Sequence, residues 1–345
     1  MELTNIKKIL VVDLGGIGDL LLAQPALRAL RQKYPQAMID MLVVSRCAGL
    51  VRSYGLCDHV YICERHLLNF LPVLSNLRRS RYDLVVNMRT MVSWLGVIKM
   101  FVLFSCINGR ILAGKDTNGR GFFFAIKVAE IEPGSKYEME YDIDMVAAVG
   151  AQVTDRTIRL DIGQEFCETV GRILQERGIN PGNVLIGIHP GGMPSRRWPL
   201  EHYRMLMDGI HAARPGVFVI IGGAEEKALA NELCRGREYP VVDLMGRLSI
   251  QETAALIQRC MLFISNDTGT MHIAAVMGTP QVAIFGPGQL TRFDPRNISQ
   301  KAAVVYKKAD CAPCDRYSCD SMKCFKDVTV AEVVETALGF LTQRK

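Results

Sequence analysis

From Phe263 to Ala275 the chain reads FISNDTGTMHIAA, which puts an acid, a hydroxyl, a glycine and a histidine at the joint between an apolar run and a helix-like segment. If a strand ends at Asn266, the amides near Thr268, Gly269 and Thr270 form the first turn of the next helix and lack partners inside it. Such an end binds phosphate. Gly269 lets an oxygen approach the backbone, Thr268 adds a hydroxyl donor, and His272 is placed to reach the same anion from the side. Asp267 suits either the helix N-cap or a sugar hydroxyl. A plain capped helix with a core histidine would use the same residues, so other turns must decide.

Three more turns carry related chemistry. Asp13-Leu14-Gly15-Gly16-Ile17-Gly18-Asp19 also follows an apolar run and opens a helix. It lacks the third glycine of a dinucleotide fingerprint, and the second run holds its acid, Asp40, inside the strand, so NAD is poorly supported. What the loop offers is Asp19 on a glycine turn, either a proton acceptor or a helix N-cap. In HPGGMPSRRWPLEHY, Arg196 and Arg197 precede a helix opening at Pro199, where a guanidinium fork would match a diphosphate. IIGGAEEKA adds Glu225 and Glu226, either of which suits ribose hydroxyls. Four glycine-bearing turns with anion donors and carboxylates are more readily a nucleotide site than a coincidence.

The elements that must position these turns alternate strand and helix. KKILVVDL, AMIDMLVV and YDLVVNM are apolar strands separated by helices, one of which runs from Asp19 to Tyr34 with Pro25 bending it. NVLIGI, VFVII, VVDLM, MLFIS and PQVAIF repeat the style in the second half. Buried strands between helices imply α/β architecture with doubly wound parallel sheets, whose ligands sit beyond the carboxyl ends of the strands. At 345 residues the chain suits two domains, 1–160 and 161–345, separated by the polar stretch GAQVTDRTIRLDIGQEF and facing a cleft. Residues 329–342 read as a terminal amphipathic helix.

Composition limits the function classes. A hydrophobic fraction of 49%, a charged fraction of 22% and no repeat describe a globular enzyme. The net charge of +6 is spread thinly, which suits an anionic substrate or a membrane surface and gives no footprint for nucleic acid. Asp13 interrupts the first apolar run, so it reads as a strand and not a signal peptide. Met91 to Cys106 is too short and, with Lys99, too charged to span a bilayer, and reads as a buried helix, with a membrane-facing or acceptor-lining helix the lesser alternative. Scattered single cysteines suit a reducing cytoplasm, while Cys311, Cys314, Cys319 and Cys324 are free thiols, a disulfide or a zinc site, which the spacing leaves open. Asp142-Ile143-Asp144 fits the string of metal-dependent sugar transferases but is better explained as helix capping.

GGIGDLLLAQPALRALRQKYP, YDLVVNMR, HPGG with RRWP, GRLSIQETAALI and ISNDTGTMHIAAVMGTPQVAIFGP together resemble the ADP-heptose:lipopolysaccharide heptosyltransferase family, glycosyltransferase family 9, across nearly the whole chain. The resemblance implies a GT-B fold of two Rossmann-like domains, the first for the acceptor and the second for a nucleotide-sugar donor, a fold in which a terminal helix such as 329–342 often packs back on the first domain. It also implies inversion at the sugar carbon with no metal and no cofactor. Asp19 falls where the family has its proposed general base, beside Gly15, Gly16 and Gly18 of the acceptor-side loop. Arg196 stands where a lysine usually contacts the donor phosphates, and Asp267, Thr268, Gly269 and His272 match the diphosphate turn. Leu248 falls against the base, Glu225 or Glu226 at the ribose, and Gly191 and Gly192 replace the hydroxyl residues of some members.

The reaction so implied moves a heptose or related sugar from ADP-heptose, or another nucleotide sugar, to a lipopolysaccharide core or other lipid-linked glycan. It would take place in the cytoplasm, transiently at the inner face of the cytoplasmic membrane. A nucleotide-sugar epimerase or hydrolase with a soluble substrate is the alternative, and a binding protein without turnover a weaker third.

Overall fold

The computed structural model describes residues 3, 5–64, 66–314 and 316–342. The chain forms two compact units that part between Arg159 and Leu160. In the first, strands β1 (Lys8–Asp13), β2 (Met38–Val44), β3 (His59–Cys63), β4 (Leu84–Asn87), β5 (Ile111–Thr117) and β6 (Ile126–Glu130) make one parallel sheet in the order β3-β2-β1-β4-β5-β6. In the second, β7 (Leu185–His189), β8 (Val217–Ile220), β9 (Val241–Asp243), β10 (Leu262–Asn266), β11 (Gln281–Phe285) and β12 (Ala302–Tyr306) make another in the order β12-β11-β10-β7-β8-β9. Each order reverses beside its first strand, so β1 with β4, and β7 with β10, form the switch points where such sheets take ligands. The central strands are apolar along their length because helices cover both faces: Ile9 to Val12 and Leu262 to Ile264 are fully buried.

Three local expectations are corrected. The single helix from Asp19 to Tyr34 is two, Ile17–Leu22 and Gln24–Lys33, because Pro25 lacks the amide an unbroken helix needs and instead lies at the start of the second. Asp142 does not cap a helix: it lies inside Glu138–Ala148, buried, with its carboxylate 3.1 Å from Lys115 Nζ, while Asp144 turns away to Lys136 at 2.8 Å. Residues two apart on a helix point in different directions, so the two carboxylates do not converge on one ion. Met91 to Cys106 becomes the helix Trp94–Ile107, which buries Val97, Phe104 and Ile107 but leaves its other face exposed. The terminal helix, Val330–Thr342, seats Val333, Ala337 and Leu341 in the core of the second unit.

The cysteines are all free thiols, and among the described residues no group of three or more His, Cys, Asp or Glu side chains is arranged to hold a metal. Cys324 is buried, whereas Cys311 is exposed. No helix among the described residues is long and apolar enough to cross a membrane.

Candidate functional site

At the first switch point, β1 ends in Asp13, whose Oδ1 accepts from the Gly15 amide at 2.9 Å and starts the turn. Gly16 is the N-cap of Ile17–Leu22, and Asp19, three residues on, accepts from its amide through Oδ2 at 2.7 Å. The other carboxylate oxygen of Asp19 accepts from Arg89 at 2.6 Å. Arg89 lies two residues beyond β4, held by Asn87, whose side-chain amide donates to the Arg89 carbonyl at 2.9 Å. No side chain fits at Gly15, since its Cβ would lie 2.7 Å from Asp19 Cβ and 2.8 Å from Asp13 Oδ1. Gly18 is buried inside the short helix.

Arg89 thus bonds Asp19, and its charge also reaches the nearby Asp13 through space. Burial pushes the Asp13 carboxyl up to about 6, with Asp19 adding to the rise and Arg89 opposing it. The Asp19 carboxylate raises Arg89 above its already high value and so keeps it charged. Arg89 was not singled out from sequence; its signal was the β4 end NMR beside the β1 turn, legible only once β1 and β4 are known to be neighbours.

At the second switch point three turns are tied together. His189, the last residue of β7, places Nδ1 3.0 Å from Thr268 Oγ1 and 2.8 Å from Thr270 Oγ1, and Nε2 3.3 Å from Glu226 Oε2. A carboxylate only accepts, so Nε2 carries the proton and Nδ1 faces the hydroxyl pair. Glu226 also accepts from the Gly192 amide at 2.6 Å and the Gly223 amide at 3.0 Å. Burial alone would push Glu226 up; the His189 contact and the two amides outweigh it and hold the carboxyl down at about 2. Gly192 has φ +105°, and a Cβ at Gly191 would fall 2.2 Å from Glu226 Oε1. A hydroxyl residue therefore has no room at 191, and would be strained at 192.

Asn266 closes the group from below. Its Nδ2 donates to the carbonyls of Pro190 at 2.8 Å and Gly191 at 3.0 Å, while Oδ1 accepts from the Trp198 amide and the Tyr203 hydroxyl. Thr268 is the N-cap of Gly269–Val276, with its hydroxyl on His189 instead of the helix amides, and Asp267 Oδ2 accepts from Arg196 at 2.9 Å. Arg197 turns inward, donating to the Gly192 carbonyl at 2.8 Å.

Arg196, Asp267, Thr268 and Gly269 are therefore together, as the sequence suggested. His272 is only 2% exposed, with its ring 6.1 Å from Phe293, so the histidine that touches the turn hydroxyls is His189. Glu225 and Glu226 part company: Glu226 is buried and fully engaged, and Glu225 is exposed beside Gly223. Leu248, half-buried, follows a loop fixed to the β8 turn by the Gly246 amide, which donates to the Gly222 carbonyl at 2.9 Å. His189 was legible only as part of HPGG, and its partners lie 37 and 79 residues away.

The family model of glycosyltransferase family 9 (heptosyltransferase) matches residues 72–325, well over half of the chain. The chain belongs to that family. It is a glycosyltransferase of GT-B fold. Over 93% of its length the transferase is 27% identical to lipopolysaccharide heptosyltransferase 3 of Escherichia coli, covering 94% of that protein. Over 94% it is 26% identical to lipooligosaccharide heptosyltransferase 2 of Campylobacter jejuni, covering 95%. Among solved structures, a family 9 transferase of Veillonella parvula superposes with a TM-score of 0.76 at 21% identity, with 99% of both chains covered. The E. coli ADP-heptose heptosyltransferase II gives 0.74 at 21%, with 97% of this chain and 99% of that one covered.

Proposed function

We propose that this transferase moves a heptose from ADP-heptose to a lipopolysaccharide-core or similar lipid-linked glycan, by single displacement with inversion and without a metal. The observation that carries the proposal is the tied edge of the second unit: a helix N-terminus at the switch point, its hydroxyls ordered by His189 and a guanidinium posted beside it on Asp267. Preorganised donors of this kind stabilise the charge that develops on a leaving diphosphate. The first-turn amides near Thr268 to Thr270 and Arg196 take that role. Glu225, exposed at the β8 turn, takes a ribose hydroxyl, and Leu248 lies against the base. Glu226 ties the turns from within through His189 and the Gly192 and Gly223 amides.

Asp19 is the general base. The acceptor oxygen attacks the anomeric carbon, its proton passes to the Asp19 carboxylate, and the bond to the diphosphate breaks with its electrons on the leaving oxygen. Attack opposite the leaving group inverts the carbon. Arg89 and the Gly16 amide, one on each Asp19 oxygen, fix the carboxylate's direction. Positive charge at the leaving group comes from Arg196 and the helix end, and the Asp142 and Asp144 carboxylates are occupied by separate lysines.

The test measures donor binding and transfer separately. ADP-heptose should raise the melting temperature selectively over GDP-, UDP- and CDP-linked sugars, and Arg196→Ala should remove the shift. Asp19→Asn should keep the shift and lose about 10³-fold in transfer to a heptose-accepting core glycan. Transfer should persist in excess chelator with an inverted anomeric centre. A preference for another nucleotide sugar would discard heptose, and unimpaired turnover by Asp19→Asn would discard the base.

A further inference from the structure

The helix Trp94–Ile107 is apolar on two opposite sides, and the first unit uses only one of them. Val97, Phe104 and Ile107 enter its core, with Met100 and Leu103 packed at the margin. On the far side Trp94, Leu95, Ile98, Phe101 and Val102 recur at i, i+1, i+4, i+7 and i+8, a continuous stripe on a 3.6-residue helix. Their exposures run from 44% at Phe101 to 64% at Leu95. The stripe is widened by Phe122, 57% exposed and 6.0 Å from the Phe101 ring. Soluble surfaces scatter exposed apolar residues singly, and a stripe with two aromatic rings marks a binding surface.

The charges around the stripe specify what covers it. From His66 to Lys115 the sequence holds a single acid, Asp83. Lys99 stands exposed at the margin of the stripe, and Arg110, just past the helix end, is exposed and 3.7 Å from Asp83. Arg120 lies over the Trp94 ring at 6.0 Å. On the neighbouring helix, Leu67–Ser80, Arg78 donates to the Cys106 carbonyl at 3.1 Å, tying the Arg78, Arg79 and Arg81 cluster to the end of Trp94–Ile107. A tryptophan at one end, aliphatic and phenylalanine side chains between, and a rim in which Lys99, Arg78, Arg79, Arg81 and Arg120 outnumber the acids Asp83 and Asp116 fit an interfacial helix lying in the plane of an anionic bilayer. A second copy of this chain would give no reason for the one-sided charge, since its face is equally basic.

We infer that the Trp94–Val102 stripe with Phe122 is a docking face for an anionic phospholipid surface, entered to the depth of its side chains and held by the Lys99, Arg110 and Arg78–Arg81 rim. This surface stands independently of the donor and of the reaction. The full chain should co-float with vesicles containing phosphatidylglycerol and much less with pure phosphatidylcholine, and added salt should weaken the binding. The chain has two tryptophans, and Trp198 is buried, so a vesicle-induced blue shift of emission should come from Trp94 and vanish in Trp94→Phe. The double variant Ile98→Glu/Val102→Glu should lose at least about 10-fold in partitioning with unchanged circular dichroism and melting, because both positions are exposed. Nucleotide-sugar binding should be untouched, which separates failure here from failure of the donor assignment. Flotation that survives the double variant, or independence of anionic lipid, would overturn the inference, as would absence of flotation alongside a concentration-dependent dimer that the double variant breaks.

Discussion

Two carboxylates around one guanidinium give Asp13 a role that its burial alone would not. While Asp13 is ionised, Arg89 divides its charge between Asp13 and Asp19; once Asp13 takes a proton, Arg89 becomes the counter-ion of Asp19 alone and holds it more firmly. With Asp13 held at about 6, this change falls as pH drops through that value. The pH profile of kcat/KM should therefore show an acidic limb near 6, with the rate falling on the acid side. Asp13→Asn imitates the protonated state, so it should have a lower rate at pH 7.5 and no limb near 6. A limb that persists in the variant would move the titration elsewhere. Asp19 itself was legible from sequence, because a carboxylate on a glycine turn after a strand is a local signal. Arg89 and His189 were not, because what makes each matter is a neighbour brought in by strand order: β4 beside β1, β10 beside β7.

The turns act as units because buried polar groups tie them. Glu226 joins the loops after β7 and β8 and, through His189, the loop after β10. Its carboxyl lies below the usual 4.5, so it contributes stability above pH 4.5 that is lost as pH falls toward 2. Glu226→Gln should cost on the order of 2 kcal/mol at pH 7 in urea unfolding, and the gap from wild type should close as the pH is lowered through 4.5 toward 3. It should also weaken donor binding, because the histidine that orders Thr268 loses its carboxylate partner. A gap that stays constant with pH would show that the carboxylate's charge is not what is used. The glycines at 191 and 192 are explained at this scale: a hydroxyl residue there collides with Glu226 or strains the turn, so this chain's loop is built around the buried acid. The elements themselves were largely legible, since continuous apolar strands and cap residues are local. What sequence missed was local competition, as at Pro25, where a helix interior and a helix start carry the same apolar pattern, and at Asp142, where a lysine from β5 outbids the cap.

The two sheets share one strand order, and in the proposed reaction each unit carries a separate part. The features proposed to bind phosphate follow β7, β8 and β10 of the second unit, while Asp19 and Arg89 follow β1 and β4 of the first. If the donor's contacts are those proposed, ADP alone should slow amide exchange in three segments, 189–200, 221–226 and 266–272, and leave the turn at 13–19 unchanged. A ligand that binds only the native state at 100 times its Kd adds about 2.7 kcal/mol, enough to be read as slower exchange wherever those amides open only by unfolding of that unit. Segments joined by Glu226 and Asn266 should gain protection together, and in Glu226→Gln the 189–200 loop should uncouple from the others. Protection confined to 13–19, or spread evenly over both units, would place the nucleotide on the wrong sheet in the present account, and the assignment of Arg196 would fall with it.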